Sequence, residues 1–192
     1  YNRQQYLLKW KGVFYLEKKK QRSVTRGIIL TILAIAIGYT VYAAVTKDKI
    51  NIVQAGAQAP DFEVVDLQGE KHRLKDYEGK GVVLNFWGTW CEPCEREFPA
   101  MTRQYAEFKG QDVQIIAVNF AQSEFEVKKY VANMGMTFPV AIDKTKSVFT
   151  AYNIGPLPTS IFIKPDGTID RIITGEMTEG EIVQYMGSIK PE

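Results

Sequence analysis

Val82-Val83-Leu84-Asn85-Phe86-Trp87 is a continuous run rich in apolar β-forming residues, and it stops at Gly88-Thr89-Trp90-Cys91. A strand with no solvent-facing alternation must be covered on both faces. The next segment of the chain has a different period. From Glu92 to about Lys109, Phe98, Met101, Tyr105 and Phe108 recur at three- and four-residue steps, the pattern of an amphipathic helix. Pro99 stands inside it and is expected to kink it.

The neighbouring segments continue this alternation. Phe62, Val64 and Leu67 begin an extended stretch that turns at Gln68-Gly69 and returns through 70–74, a candidate hairpin. Val113–Asn119 reads as a second buried strand, 123–134 as a helix, 138–142 as a short strand and 145–152 as a short helix. Residues 159–164 and 168–174 read as strands paired across Pro165-Asp166-Gly167, and 179–189 as a closing helix. The expected fold is α/β, a central mixed sheet flanked by helices. His72, in the candidate hairpin, reads as a surface residue.

Charge divides the chain. Residues 1–26 hold eight Lys/Arg and one acid, a charge of +7. Residues 27–46 hold none, so 47–192 carries −5 of the formal total of +2. An acidic body excludes the basic footprint of a nucleic-acid binder. At ~1.5 Å per helical residue, the uncharged stretch from Gly27 to Thr46 matches the ~30 Å hydrocarbon core of a membrane. Tyr39 and Tyr42 lie near its far end, where interfacial aromatics are favoured. The reading is therefore a basic cytoplasmic tail (1–26), a transmembrane anchor (27–46), a linker (47–58) and one folded domain (59–192) outside the cytoplasm at the cell membrane. A cleaved signal peptide ending near Val41-Tyr42-Ala43 is the rival, although its apolar region is usually shorter. Position 1 is Tyr and the first Met is Met101, so residues 1–15 are read as an extension upstream of a non-standard start near Leu16.

The chemistry is carried by Trp90-Cys91-Glu92-Pro93-Cys94, which lies directly after a buried strand and opens a helix. A C-x-x-C in that setting reads as a redox pair. Unpaired N–H groups and the dipole at the helix start stabilise a thiolate at Cys91. Cys94, three residues on, lies on the same face, close enough to close a disulfide. Pro93 suits an early helical position, where its missing N–H is not needed. Cys91 is then the attacking thiol and Cys94 the resolving one. A purely structural disulfide, a metal site and two unrelated core cysteines are the alternatives. With two cysteines and one histidine in the chain, four-cysteine and multi-histidine metal centres are ruled out.

Phe86-Trp87-Gly88-Thr89-Trp90-Cys91-Glu92-Pro93-Cys94, with Pro156-Leu157-Pro158-Thr159 downstream, resembles the thioredoxin superfamily. From Ala59-Pro60-Asp61-Phe62 onward the chain is similar to the membrane-anchored ResA-type branch of extracytoplasmic thiol-disulfide oxidoreductases, and Cys91 to Pro99 is the most specific part. That resemblance implies a thioredoxin-like fold with an added N-terminal β-hairpin. It implies reduction of the disulfide in the haem-binding Cys-x-x-Cys-His of apocytochrome c, with electrons from a CcdA-type membrane carrier. It makes Pro158 the superfamily's cis-proline, which presents substrate backbone, and Glu97 an acid that holds or passes a proton. Trp90, Glu92, Pro93 and Leu157 join Pro158 as candidate substrate contacts. Thioredoxins place a buried Asp where this chain has Asn85, which cannot act as a base, so proton transfer shifts towards Glu97. No cofactor is expected beyond the Cys91–Cys94 disulfide itself.

Glu92, Glu95 and Glu97 add negative charge around Cys91, which opposes its thiolate and favours a reductant. Three rivals stay open: a related oxidoreductase serving a spore or cell-envelope client, a peroxiredoxin-like antioxidant sharing the Ala59–Phe62 opening, and a copper-binding chaperone. The last usually has three residues between its cysteines and a distal histidine. Here the gap is two, and no histidine follows Cys94.

Overall fold

The computed structural model describes residues 27–41 and 53–192. The chain divides into two compact units, Tyr1–Lys49 and Ile50–Glu192. In the first, residues 27–41 form a helix (α1) whose residues are all exposed. Among the described residues no helix is long and apolar enough to cross a membrane. Within the expected 27–46 span, residues 27–41 are helical, and 42–46 lie outside the described residues.

The second unit is built on a five-stranded sheet. Its strands are β3 (Gly81–Trp87), β4 (Val113–Asn119), β5 (Val140–Ile142), β6 (Thr159–Ile163) and β7 (Ile169–Thr174), in the order β5-β4-β3-β6-β7. β3, β4 and β5 run parallel, and β6 and β7 are antiparallel to their neighbours. Every residue of β3 is buried, as its apolar run demanded. Val83 and Trp87 pack on one face of the sheet with Phe98, Met101, Ile182 and Met186. Val82, Leu84 and Phe86 pack on the other with Phe149, Tyr152 and Ile161. The helices are α2 (Glu92–Phe108), α3 (Glu124–Met134), α4 (Ser147–Ala151) and α5 (Glu179–Ser188). Ser123 with Glu126, and Thr178 with Glu181, form capping boxes that start α3 and α5. α2 continues through Pro99 as one helix.

The hairpin forms as expected. β1 (Glu63–Val65) pairs antiparallel with β2 (Lys71–Arg73), and Val64 faces His72. It is tied to the main sheet by the Leu67 N–H, which donates to the Val140 carbonyl at 2.9 Å. His72 is not at the surface: it is 6% exposed. The register sets it beside buried Val64, and both ring nitrogens are engaged, one by Asp66 Oδ2 at 3.1 Å and the other by the Tyr77 hydroxyl.

Candidate active site

β3 delivers the chain to the reactive pair. After Trp87 the chain turns at Gly88-Thr89-Trp90, where the Cys91 N–H donates to the Gly88 carbonyl at 3.0 Å. Glycine at 88 lets the Trp90 ring fold back over the turn, since a Cβ there would lie 2.9 Å from that ring. Cys91 is the N-cap of α2, and its sulfur accepts from the Cys94 N–H at 3.3 Å. That bond and the helix N-terminus favour a thiolate at Cys91 over one at Cys94. The two sulfurs are joined at 2.02 Å, across a Cα–Cα distance of 5.2 Å. Cys91 is 6% exposed and Cys94 is fully buried, so the first is the sulfur a client can reach.

The Leu157–Pro158 peptide is cis, as the resemblance implied for that proline. Trp90, Cys91, Glu92, Pro93 and Leu157 line one groove of about 480 Å³ together with Phe120, Phe149 and Gly155. Five of the expected site residues are thus brought together. Pro158 is buried, immediately before β6. Phe120 was not anticipated; it follows β4, and the Trp90 ring meets it edge-on at 6.0 Å.

Glu97 lies one helical turn beyond Cys94 and is 1% exposed. Its Oε1 accepts from Asn85 Nδ2 at 3.0 Å, and its Oε2 from the Met177 N–H at 3.2 Å. Burial pushes its pKa up to about 7; the two hydrogen bonds pull the other way, and Glu176 adds a small push upward. A carboxyl poised there is suited to exchange a proton at neutral pH. The second Asn85 N–H goes to Ser160 Oγ at 2.9 Å, and Asn85 Oδ1 has no partner among the described residues. Ser160 and Met177 were missed by sequence reasoning, because their partners are 75 and 80 residues away along the chain.

The electrostatics differ from the tally of three acids. Glu92 pairs with Arg96 at 2.9 Å, and Arg96 also holds Glu176 at 2.7 Å. Glu97 is only partly ionised near pH 7. The negative field around Cys91 is therefore weaker than a count of carboxylates implies.

Comparison with known proteins agrees with this geometry. The AhpC/TSA family model matches residues 55–172. The thiol-disulfide oxidoreductase ResA of Geobacillus kaustophilus is 50% identical over 91% of this chain and 99% of its own length. The chain belongs to the ResA-type thiol-disulfide oxidoreductases of the AhpC/TSA family. The ResA protein of Bacillus subtilis is 47% identical over 91% of this chain and 97% of its own. Among solved structures, a candidate thiol:disulfide interchange protein DsbE from Chlorobium tepidum superposes with a TM-score of 0.67 at 29% identity, covering 71% of this chain and 98% of that one. The fold is thioredoxin-like, and the chain is a thiol-disulfide oxidoreductase.

Proposed function

We propose that this oxidoreductase works as a reductase on the outer side of the cell membrane, anchored by the uncharged segment 27–46. Its client is the oxidised haem-binding Cys-x-x-Cys-His of apocytochrome c. What supports anchoring is the sequence: an uncharged segment over 27–46, long enough for a membrane span, behind a tail of charge +7. A CcdA-type membrane carrier supplies electrons to the Cys91–Cys94 disulfide. The client is inferred from the likeness of Cys91 to Pro99 to the ResA-type branch.

The site supports exchange in two attacks. The Cys91 thiolate first attacks one sulfur of the client disulfide. A bond forms between Cys91 Sγ and that sulfur, and the client's other sulfur leaves as a thiolate that takes up a proton. Cys94 then loses its proton, with Glu97 as the acceptor, and attacks Cys91 Sγ. The Cys91–Cys94 disulfide closes, the client leaves as a dithiol, and two electrons have passed to it. The buried Glu97 carboxyl with a pKa near 7 carries this reading: Cys94 is fully buried, and a neighbouring base answers the need to deprotonate it. The groove beside Cys91 receives the client backbone against Leu157 and Pro158.

The deciding measurements are the midpoint potential at pH 7 and turnover of an oxidised Cys-x-x-Cys-His peptide. A potential at or below about −250 mV, near the thioredoxin range, fits a reductase. A value near about −120 mV, in the strong-oxidant range, reverses the direction of transfer. Equal turnover of Cys-x-x-Cys-His and Cys-x-x-Cys-Ala peptides would remove the argument for an apocytochrome client.

A further inference from the structure

A second polar network meets the active-site turn from outside the cysteine helix. Gln122 lies in the loop between β4 and α3. Its Oε1 accepts the Thr89 N–H at 2.8 Å, and its Nε2 donates to Thr89 Oγ1. The same Oε1 accepts from Asn119 Nδ2 at 2.9 Å, and the Gln122 N–H donates back to Asn119 Oδ1 at 3.1 Å. Asn119 is fully buried at the end of β4, so this clamp is rooted in the sheet. Thr89 sits inside the turn that the Cys91 N–H closes onto Gly88.

The same loop holds both ends of that turn. The Phe120 N–H donates to the Trp87 carbonyl at 3.0 Å, and the Phe120 ring packs on Trp90. Between Phe120 and Gln122, Ala121 has φ 52°, a left-handed conformation uncommon for a residue other than glycine. Such outliers persist where the surroundings over-determine them, often at functional sites. A side-chain amide suits the position, because it presents an acceptor and a donor together to the N–H and hydroxyl of one residue.

We propose that Gln122 is a positioning residue for thiol-disulfide exchange: acting through Thr89, it fixes the turn that sets the Cys91 sulfur on its line of attack. Exchange needs the attacking sulfur aligned with the disulfide it enters, and small displacements of a reacting atom are costly in rate. The proposal rests on Cys91 being the attacking thiol, and the parent protein in the test checks that separately.

The test uses the full chain carrying Cys94→Ser, so that only the first attack is seen. The reduced protein reacts with dithiodipyridine from about pH 5 to about pH 10, which yields a limiting rate constant and an apparent thiol pKa. Adding Gln122→Ala lowers the limiting rate by about tenfold. Adding Gln122→Glu instead restores it to within about twofold, because the carboxylate still accepts the Thr89 and Asn119 N–H groups while the Thr89 hydroxyl turns to donate. Its charge moves the apparent pKa upward. A general loss of packing would not be rescued by this variant. A fall of less than about threefold in Gln122→Ala, or a Gln122→Glu variant as slow as Gln122→Ala, overturns the proposal. If Gln122→Ala does not fold, Thr89→Val carries the test: it removes the hydroxyl contact alone, and a limiting rate unchanged from the parent overturns the proposal equally. A Cys94→Ser parent that fails to react while Cys91→Ser reacts would instead refute the assignment of the attacking thiol.

Discussion

Asn85 Nδ2 donates to Glu97 Oε1 at 3.0 Å across the interface between the central strand and the cysteine helix, and both residues are buried. The strand that leads into the reactive turn thus also holds the carboxyl one helical turn past Cys94. Asparagine in this place is neutral, so it offers Glu97 a donor without competing for its proton. Burial holds that carboxyl's pKa up at about 7 against the downward pull of the Asn85 bond.

Glu97→Gln is expected to change two pH dependences. The folded-state pKa of about 7 lies above the ordinary value of 4.5, so the folded state binds more protons than the unfolded state between those limits. Stability therefore falls as pH rises from about 4.5 to about 7, by about 3 kcal/mol in total. Glu97→Gln removes that slope, and urea denaturation at pH 5 and pH 8 checks it. In kinetics, a base that must be ionised makes the resolving step speed up as pH rises through about 7. Single-turnover reduction of a disulfide client by the Gln variant is expected to lose that rise and to slow by about 10²-fold.

Asn85→Asp tests the partner. Two carboxyls would then lie about 3 Å apart in the core and could not both ionise. The pair is expected to share one proton, with apparent pKa values spread to either side of the native one. The variant should stay folded at pH 5 and lose about 1 kcal/mol more than the native protein between pH 5 and pH 8, because the shared proton is held through the whole interval. Equal losses in the two proteins would show that the Asn85 contact does not govern Glu97.

Much of this was legible in the sequence, for physical reasons that also mark where legibility ended. β3 was plain because a strand buried on both faces needs an apolar run, and the C-x-x-C was plain because its chemistry depends on local spacing at a helix start. Asn85 stood out as polar within that run, and the likeness to a known family drew attention to Glu97. Its burial was not readable, because a glutamate in a helix gives no sign of which face it takes when the covering residue is Met177, distant in sequence. His72 was misplaced for a similar reason: flanked by Lys71 and Arg73 it reads as exposed, and only the hairpin register sets it against Val64. The clamp of Gln122 on Thr89 joins two loops 33 residues apart and left no local pattern.

Gly88→Ala is expected to injure the groove without unfolding the domain. The added methyl would sit 2.9 Å from the Trp90 ring, which is 59% exposed and has room to swing away. Trp90 then leaves Phe120 and no longer walls the groove. The expected outcome is a rise in KM for a peptide client of about tenfold, with a stability loss of about 1 kcal/mol. Tryptophan fluorescence should report the displaced ring, and unchanged KM with altered fluorescence would show that Trp90 does not contact the client.

His72→Leu separates the hairpin from the chemistry. Replacing the imidazole leaves the buried Asp66 Oδ2 and the Tyr77 hydroxyl without their partners, at a cost of about 1–3 kcal/mol for each group left unpaired. Asp66 keeps its bonds from the Gln68 and Glu70 N–H groups, at 2.9 and 2.8 Å, so the turn itself should survive. In the native protein burial works against the ionised Asp66, but the bonds from His72, Glu70 and Gln68 outweigh it and hold its carboxyl below the usual range. That contribution is present above the ordinary Asp pKa and is lost as pH falls through the lowered value. The variant is therefore expected to be less stable at neutral pH and to show a smaller further loss in acid. Its midpoint potential should match the native one, since neither Asp66 nor His72 bonds to the residues around the cysteines. A shifted potential with no change in melting temperature would show that the hairpin reaches the redox pair by a route other than packing.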